Sequence, residues 1–87
     1  MLLKLKVSGE VQGVGFRYSA WTKAKNLDLK GFTQNDPDGA VYIEAEGSEE
    51  KLKELLKWCK EDMPGRVEKT WQEFSDEIKG YNDFEII

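Results

Sequence analysis

The chain opens on an alternation. In residues 3–8, "LKLKVS", Leu3, Leu5 and Val7 point one way and Lys4 and Lys6 the other. That pattern predicts a half-buried strand, with Gly9 as its expected end. From Phe16 the period lengthens. Phe16, Ala20, Ala24 and Leu27 recur at helical spacing, which predicts a helix over residues 16–26. "LKGFTQN", residues 29–35, reads as a short strand that Phe32 and Thr33 favour. "DPDG" is a turn: proline fixes one dihedral, Gly39 supplies a positive one, and the aspartates bond locally. "AVYIEAE", residues 40–46, alternates again, with Val41, Ile43 and Ala45 on the inner face, so the two strands form a hairpin.

Residues 48–62, "SEEKLKELLKWCKED", carry the clearest helical pattern, with Leu52, Leu55, Leu56 and Cys59 on one face. Ser48 is placed to cap it, Glu49 and Glu50 suit its positive end, and Pro64-Gly65 is the expected stop. "RVEKTWQEF" is a strand candidate, residues 75–83 a polar loop, and "FEII" a short last strand. The order β-α-β-β-α-β-β predicts an α+β fold: a ferredoxin-like β-α-β-β-α-β sandwich with an added C-terminal strand. Its sheet is expected to be antiparallel with two helices on one face. With 87 residues, no repeat and no linker, residues 1–87 are expected to form a single domain.

Charge narrows the partners. The formal net charge of −4 argues against a non-specific nucleic-acid binder. Cys59, the sole cysteine, cannot form an internal disulfide, and "MLLKLKVSG" has no long apolar run. These features predict a cytoplasmic protein with no membrane or nucleic-acid partner, expected to act as a monomer. Abundant Lys and Glu hint at heat tolerance.

The stretch "GEVQGVGFRYS" holds the candidate chemistry. Gly9, Gly13 and Gly15 crowd a bend between strand and helix, where backbone N–H groups lack helical partners and can meet an anion. The P-loop pattern fails, because Val14 stands at its second glycine; the dinucleotide fingerprint fails at Tyr18. Arg17 falls in the first helical turn, where a cation opposes the helix dipole by ~0.3–1 kcal/mol. A bound anion would reverse that sign, and a guanidinium grips phosphate oxygens as a fork. An ordinary turn followed by a solvated arginine explains this stretch equally well.

Two longer motifs add to it. "VSGEVQGVGFR" resembles the acylphosphatase signature V-x-G-x-V-Q-G-V-x-F-R at Val7, Gly9, Val11, Gln12, Gly13, Val14, Phe16 and Arg17. "GFTQNDPDGAVYIEAEG" resembles the second signature at Gly31, Phe32, Asn35, Gly39, Val41 and Gly47. The resemblance implies a hydrolase of small acyl phosphates that yields carboxylate and inorganic phosphate without metal, cofactor or covalent intermediate. It also implies that Gln12, Gly13, Val14, Gly15, Phe16 and Arg17 bind the phosphoryl group, with Arg17 essential and Asn35 orienting the water. Three departures stand out. Thr33 replaces a small apolar residue and is expected to face the core. Glu10 and Asp36 add negative charge beside an anionic substrate, each costing about 0.5–2 kcal/mol at ~8 Å and a dielectric of ~20–80. A weakly active or non-catalytic anion- or protein-binding module of the same family remains the alternative.

Other patterns read more simply. "DPD" lacks the setting of an aspartate-nucleophile phosphatase and fails as a calcium loop. Cys59 to Arg66 is one residue too long for a cysteine-phosphatase loop, so Cys59 reads as core. Trp21, Trp58 and Trp71 read as packing and surface residues rather than a base-stacking platform. Arg66 and the lysines at 51, 53, 57 and 60 read as solvated charges.

Overall fold

Two inward-facing rows of the sheet organise the core. Leu3, Leu5 and Val7 lie beside Ile43, Ala45 and Val41, and all six are fully buried. The computed structural model describes residues 1–63 and 65–87. Its elements are β1 (Leu2–Glu10), α1 (Phe16–Asn26), β2 (Lys30–Asn35), β3 (Val41–Glu46), α2 (Glu49–Glu61), β4 (Arg66–Ser75) and β5 (Phe84–Ile86). They form one five-stranded sheet in the order β4-β1-β3-β2-β5. Phe16, Ala20 and Ala24 of α1 and Leu52, Leu55 and Cys59 of α2 pack onto the inward rows in one cluster. Leu56 is only half-buried, at the margin of that face. This is the ferredoxin-like α+β sandwich the alternation predicts.

Local signals hold at α2: the Ser48 hydroxyl accepts the Lys51 N–H at 3.3 Å, and Glu49 and Glu50 occupy the first turn. Pro64, half of the expected stop, lies outside the described residues. The exposed lysines of α2 and Arg66 face solvent.

Two expectations need correction. Gly9 does not end β1, which continues through Glu10 with a register shift against β4 between Ser8 and Gly9. A Cβ at Gly9 would run into the Arg66 carbonyl oxygen, so glycine there admits a close backbone approach. The sheet is also mixed rather than antiparallel, because β5 pairs parallel with β2. The path of the chain explains this. Ser75 pairs with Leu2, so β4 finishes at the end of the sheet where β1 starts. Residues 76–83 then cross to the far edge, four strand spacings or roughly 19 Å away. Phe84 arrives beside Gly31, near the start of β2, and the chain can only run back up.

That crossing strap is fastened by β3. The Glu46 carboxylate accepts the N–H groups of Lys79, Gly80 and Tyr81, and the Glu44 carboxylate accepts the Tyr42 and Tyr81 hydroxyls. The Lys79 N–H leads in drawing the Glu46 carboxyl below its ordinary value. Burial pushes Glu44 up, but the two phenols, with Lys79 and Lys4, outweigh it, and the net direction is down.

Thr33 lies on the inward face of β2, fully buried, and among the described residues its hydroxyl has no partner. The hydroxyl adds polarity to the core without a bond to offset it. Thr33→Val is therefore expected to raise the unfolding free energy by about 1 kcal/mol, read from denaturant curves. Because Glu44 and Glu46 titrate lower when folded, their contribution is complete above the ordinary value of 4.5 and is lost as pH falls through the folded values. Below that pH the amides of Lys79, Gly80 and Tyr81 should exchange hydrogen faster relative to the core. Glu46→Gln should flatten that dependence.

Candidate active site

Three strand ends meet at one edge of the sheet. β1 and β2 run the same way, since both are antiparallel to β3, and β5 runs with β2. Their C-terminal ends therefore gather where α1 begins. Residues 11–15 link β1 to α1, and Gly15, at φ 82°, occupies the N-cap in the left-handed region that favours glycine. No side chain caps this helix, and its first turn holds no acidic residue. The Ser19 N–H closes the first turn of α1 on the Gly15 carbonyl oxygen at 3.0 Å. N–H groups at a helix start lack intrahelical partners and are able to meet an anion.

Arg17, in that first turn, is half-buried, and its Nη1 donates to the Ile87 carbonyl oxygen at 2.8 Å. The bond turns the guanidinium toward β5. An open cavity of about 200 Å³ lies there, lined by Val11, Gly13, Gly15, Phe16, Arg17, Tyr18, Asn35 and Ile86. Arg17 and Asn35, the two residues singled out in the sequence, thus face one space together with Gly13, Gly15 and Phe16.

Gln12 and Val14 do not line the cavity. The Gln12 side chain instead reaches the β2–β3 turn, where its Nε2 donates to the Asp36 and Ala40 carbonyl oxygens, both at 2.9 Å. It ties the bend before Arg17 to the turn just after Asn35. Sequence reasoning missed this tie, and it missed Val11, Tyr18 and Ile86 as lining residues. The strut's partners are main-chain atoms, and Ile86 arrives through the strap; neither leaves a mark in local pattern.

Neither acidic departure lines the cavity. Asp36 is not a lining residue, and its carboxylate lies 3.5 Å from the Lys6 Nζ. Lys6 also meets Asp38 at 2.7 Å; that hydrogen bond raises the lysine and lowers the aspartate from their ordinary values. Glu10 is exposed, faces Arg66 across β1 and β4, and does not line the cavity. Cys59 stays in the core, where burial pushes its thiol up to about 12. Among the described residues, no three His, Cys, Asp or Glu side chains gather where a metal ion could sit, and no helix is long and apolar enough to cross a membrane.

A ferredoxin-like sandwich with an uncapped helix start, an arginine and an asparagine around one open cavity defines a protein suited to small anionic ligands. The chain belongs to the acylphosphatase family, whose family model, described as Acylphosphatase, matches residues 3–86. It is 42% identical over 89 residues to the acylphosphatase of Caldanaerobacter subterraneus subsp. tengcongensis, a match covering 94% of this chain and 92% of that one. The crystal structure of acylphosphatase from Bacillus subtilis superposes with a TM-score of 0.91 at 34% identity, covering 100% of this chain and 99% of that one. The structure of full-length HypF in its phosphate- and nucleotide-bound form superposes at 0.88 and 30% identity, covering 99% of this chain but 11% of that one.

The Gln12 strut is open to test without any substrate. Gln12→Leu is expected to cost about 1–2 kcal/mol of stability, seen in denaturant unfolding. It should also shift the backbone amide resonances of residues 35–40; an unmoved turn would show that the strut does not hold it.

Proposed function

We propose that this protein is an acylphosphatase, hydrolysing the carboxyl-phosphate bond of small acyl phosphates to a carboxylate and inorganic phosphate. The observation that carries the reading is the meeting of Arg17, Asn35 and the uncapped start of α1 on one cavity. In the proposed reaction the N–H groups from Gln12 to Arg17 cradle the phosphoryl oxygens. Arg17, with one nitrogen committed to Ile87, turns the rest of its fork to the same oxygens. Asn35 holds a water in line through its side-chain amide. A bond forms between the water oxygen and phosphorus as the bond to the acyl oxygen breaks. The electron pair leaves with the carboxylate, and the water proton passes to a phosphate oxygen. A carboxylate leaves without prior protonation, so the chemistry asks for positioning and charge neutralisation, with no metal and no covalent intermediate. The chain has no histidine to act as base or nucleophile, and this route needs none.

The same reading has the chain working as a cytoplasmic, single-domain monomer. One continuous core cluster supports the single domain, and a sole cysteine, which can form no internal disulfide, fits a reducing compartment. A second reading, an anion- or protein-binding module, is favoured by the recurrence of this fold over a small part of HypF. Phosphate release from acetyl or benzoyl phosphate decides between them. Wild-type protein should turn both over, and Arg17→Gln and Asn35→Ala should each lose about 10²–10³ in rate while keeping the wild-type circular dichroism spectrum. Phosphate-induced shifts of the Gly13 to Arg17 amides without turnover would favour the module instead.

A further inference from the structure

Among the described residues, six large apolar side chains are exposed: Val14, Tyr18, Trp71, Ile78, Ile86 and Ile87. They are not scattered evenly. Tyr18 and Ile86 line the cavity, and Val14 and Ile87 are chain neighbours of lining residues. Phe16 and Val11 also line it but are buried to 1% exposure, so they form its floor. The exposed apolar surface of the cavity therefore comes from Tyr18 and Ile86, at 64% and 42% exposure. Apolar surface left open beside a polar site marks a place where a ligand removes it from water.

The two side chains are also held in place. The Tyr18 ring packs against the Trp21 ring at a centroid distance of 5.8 Å. The Trp21 indole N–H donates to the Phe84 carbonyl oxygen at 2.9 Å, which ties that ring to the strand carrying Ile86. Lys25 lies over the other part of this assembly, 5.6 Å from the Trp21 ring centre, and pairs with Asp83 at the entrance to β5. Both walls of the apolar ledge are thus fixed through β5. The only polar side chains of the lining besides the Tyr18 phenol are Arg17 and Asn35. The same small cavity thus offers groups that suit an anion and exposed surface that suits a hydrocarbon.

We propose that Tyr18 and Ile86 form a subsite for the hydrocarbon part of the acyl group, which selects acyl phosphates with longer apolar chains over acetyl phosphate. This rests on the acyl phosphate reading above. The acyl group of a phosphate held at the start of α1 has to be accommodated in or beside the same cavity, whose exposed apolar lining is Tyr18 and Ile86. The subsite acts on specificity and not on the bond-breaking step, since neither residue carries a group that the reaction uses.

Straight-chain acyl phosphates isolate this contact, because acetate, butyrate and hexanoate are leaving groups of nearly equal acidity. Wild-type kcat/KM should rise from acetyl to butyryl to hexanoyl phosphate, by on the order of tenfold across the series for a half-open subsite. Tyr18→Ser and Ile86→Ser should each flatten the hexanoyl-to-acetyl ratio severalfold, and Tyr18→Phe should keep it. Ile78→Ser removes a still more exposed apolar side chain that does not line the cavity and should leave the ratio as in wild type. Taking the ratio cancels any loss common to both substrates, including partial unfolding. Turnover of acetyl phosphate with no rise along the wild-type series, or a ratio unmoved by both serine variants, overturns the subsite while leaving the hydrolase reading intact. No turnover of any member overturns both.

Discussion

Parallel pairing sets the Ile87 N–H on the Thr33 carbonyl oxygen at 2.8 Å, and so carries the chain to the sheet edge where α1 begins. Much of the cavity follows from that one alignment. The Ile87 carbonyl reaches Arg17, the Phe84 carbonyl reaches Trp21, and Ile86 becomes a wall. Phe84, two residues before Ile86, is buried in the core cluster, so the strand cannot slide without exposing an aromatic ring. Hydrophobic burial at one end of a three-residue strand thus holds polar geometry at the other.

The strap that delivers β5 is itself held by polar groups on the outer side of β3. Glu44 and Glu46 alternate with the inward residues Ile43 and Ala45, so one strand serves the core and the strap at once. The fastening is electrostatic and part-exposed, whereas the core is apolar and closed. These two kinds of stabilisation respond to different variables: acid weakens the first, and cavity formation weakens the second. The site lies where elements held in these two ways meet.

Several residues near the cavity run against local preference. Arg17 sits at the wrong end of a helix for its charge, Thr33 buries an unpartnered hydroxyl, and Tyr18 and Ile86 expose apolar surface. Other segments follow the ordinary rules, with Ser48 capping α2 and alternation carried along β1 and β3. Departures from such rules concentrate where a fold serves something other than its own stability. The arginine and the apolar ledge each make sense once an amphipathic anion is brought to the cavity; the Thr33 hydroxyl has no such account.

The sequence by itself determined the elements, because alternation and helical periodicity report which side of each segment leaves water. The span of α1, the Ser48 cap and the inward rows of β1 and β3 were all legible in it, as were Arg17 and Asn35 through motifs that hold them in fixed order. Only the tertiary structure decided what those residues meet. The direction of β5 depended on where a patternless strap ended. The continuation of β1 past Gly9 depended on how closely β4 approached. Gln12 turned from the cavity to the β2–β3 turn because two main-chain oxygens lay within reach of its amide. Ile86 entered the site from the far end of the chain. Periodicity encodes burial, which is a property of one segment at a time; the site is built from contacts between segments, which exist only once the core has packed.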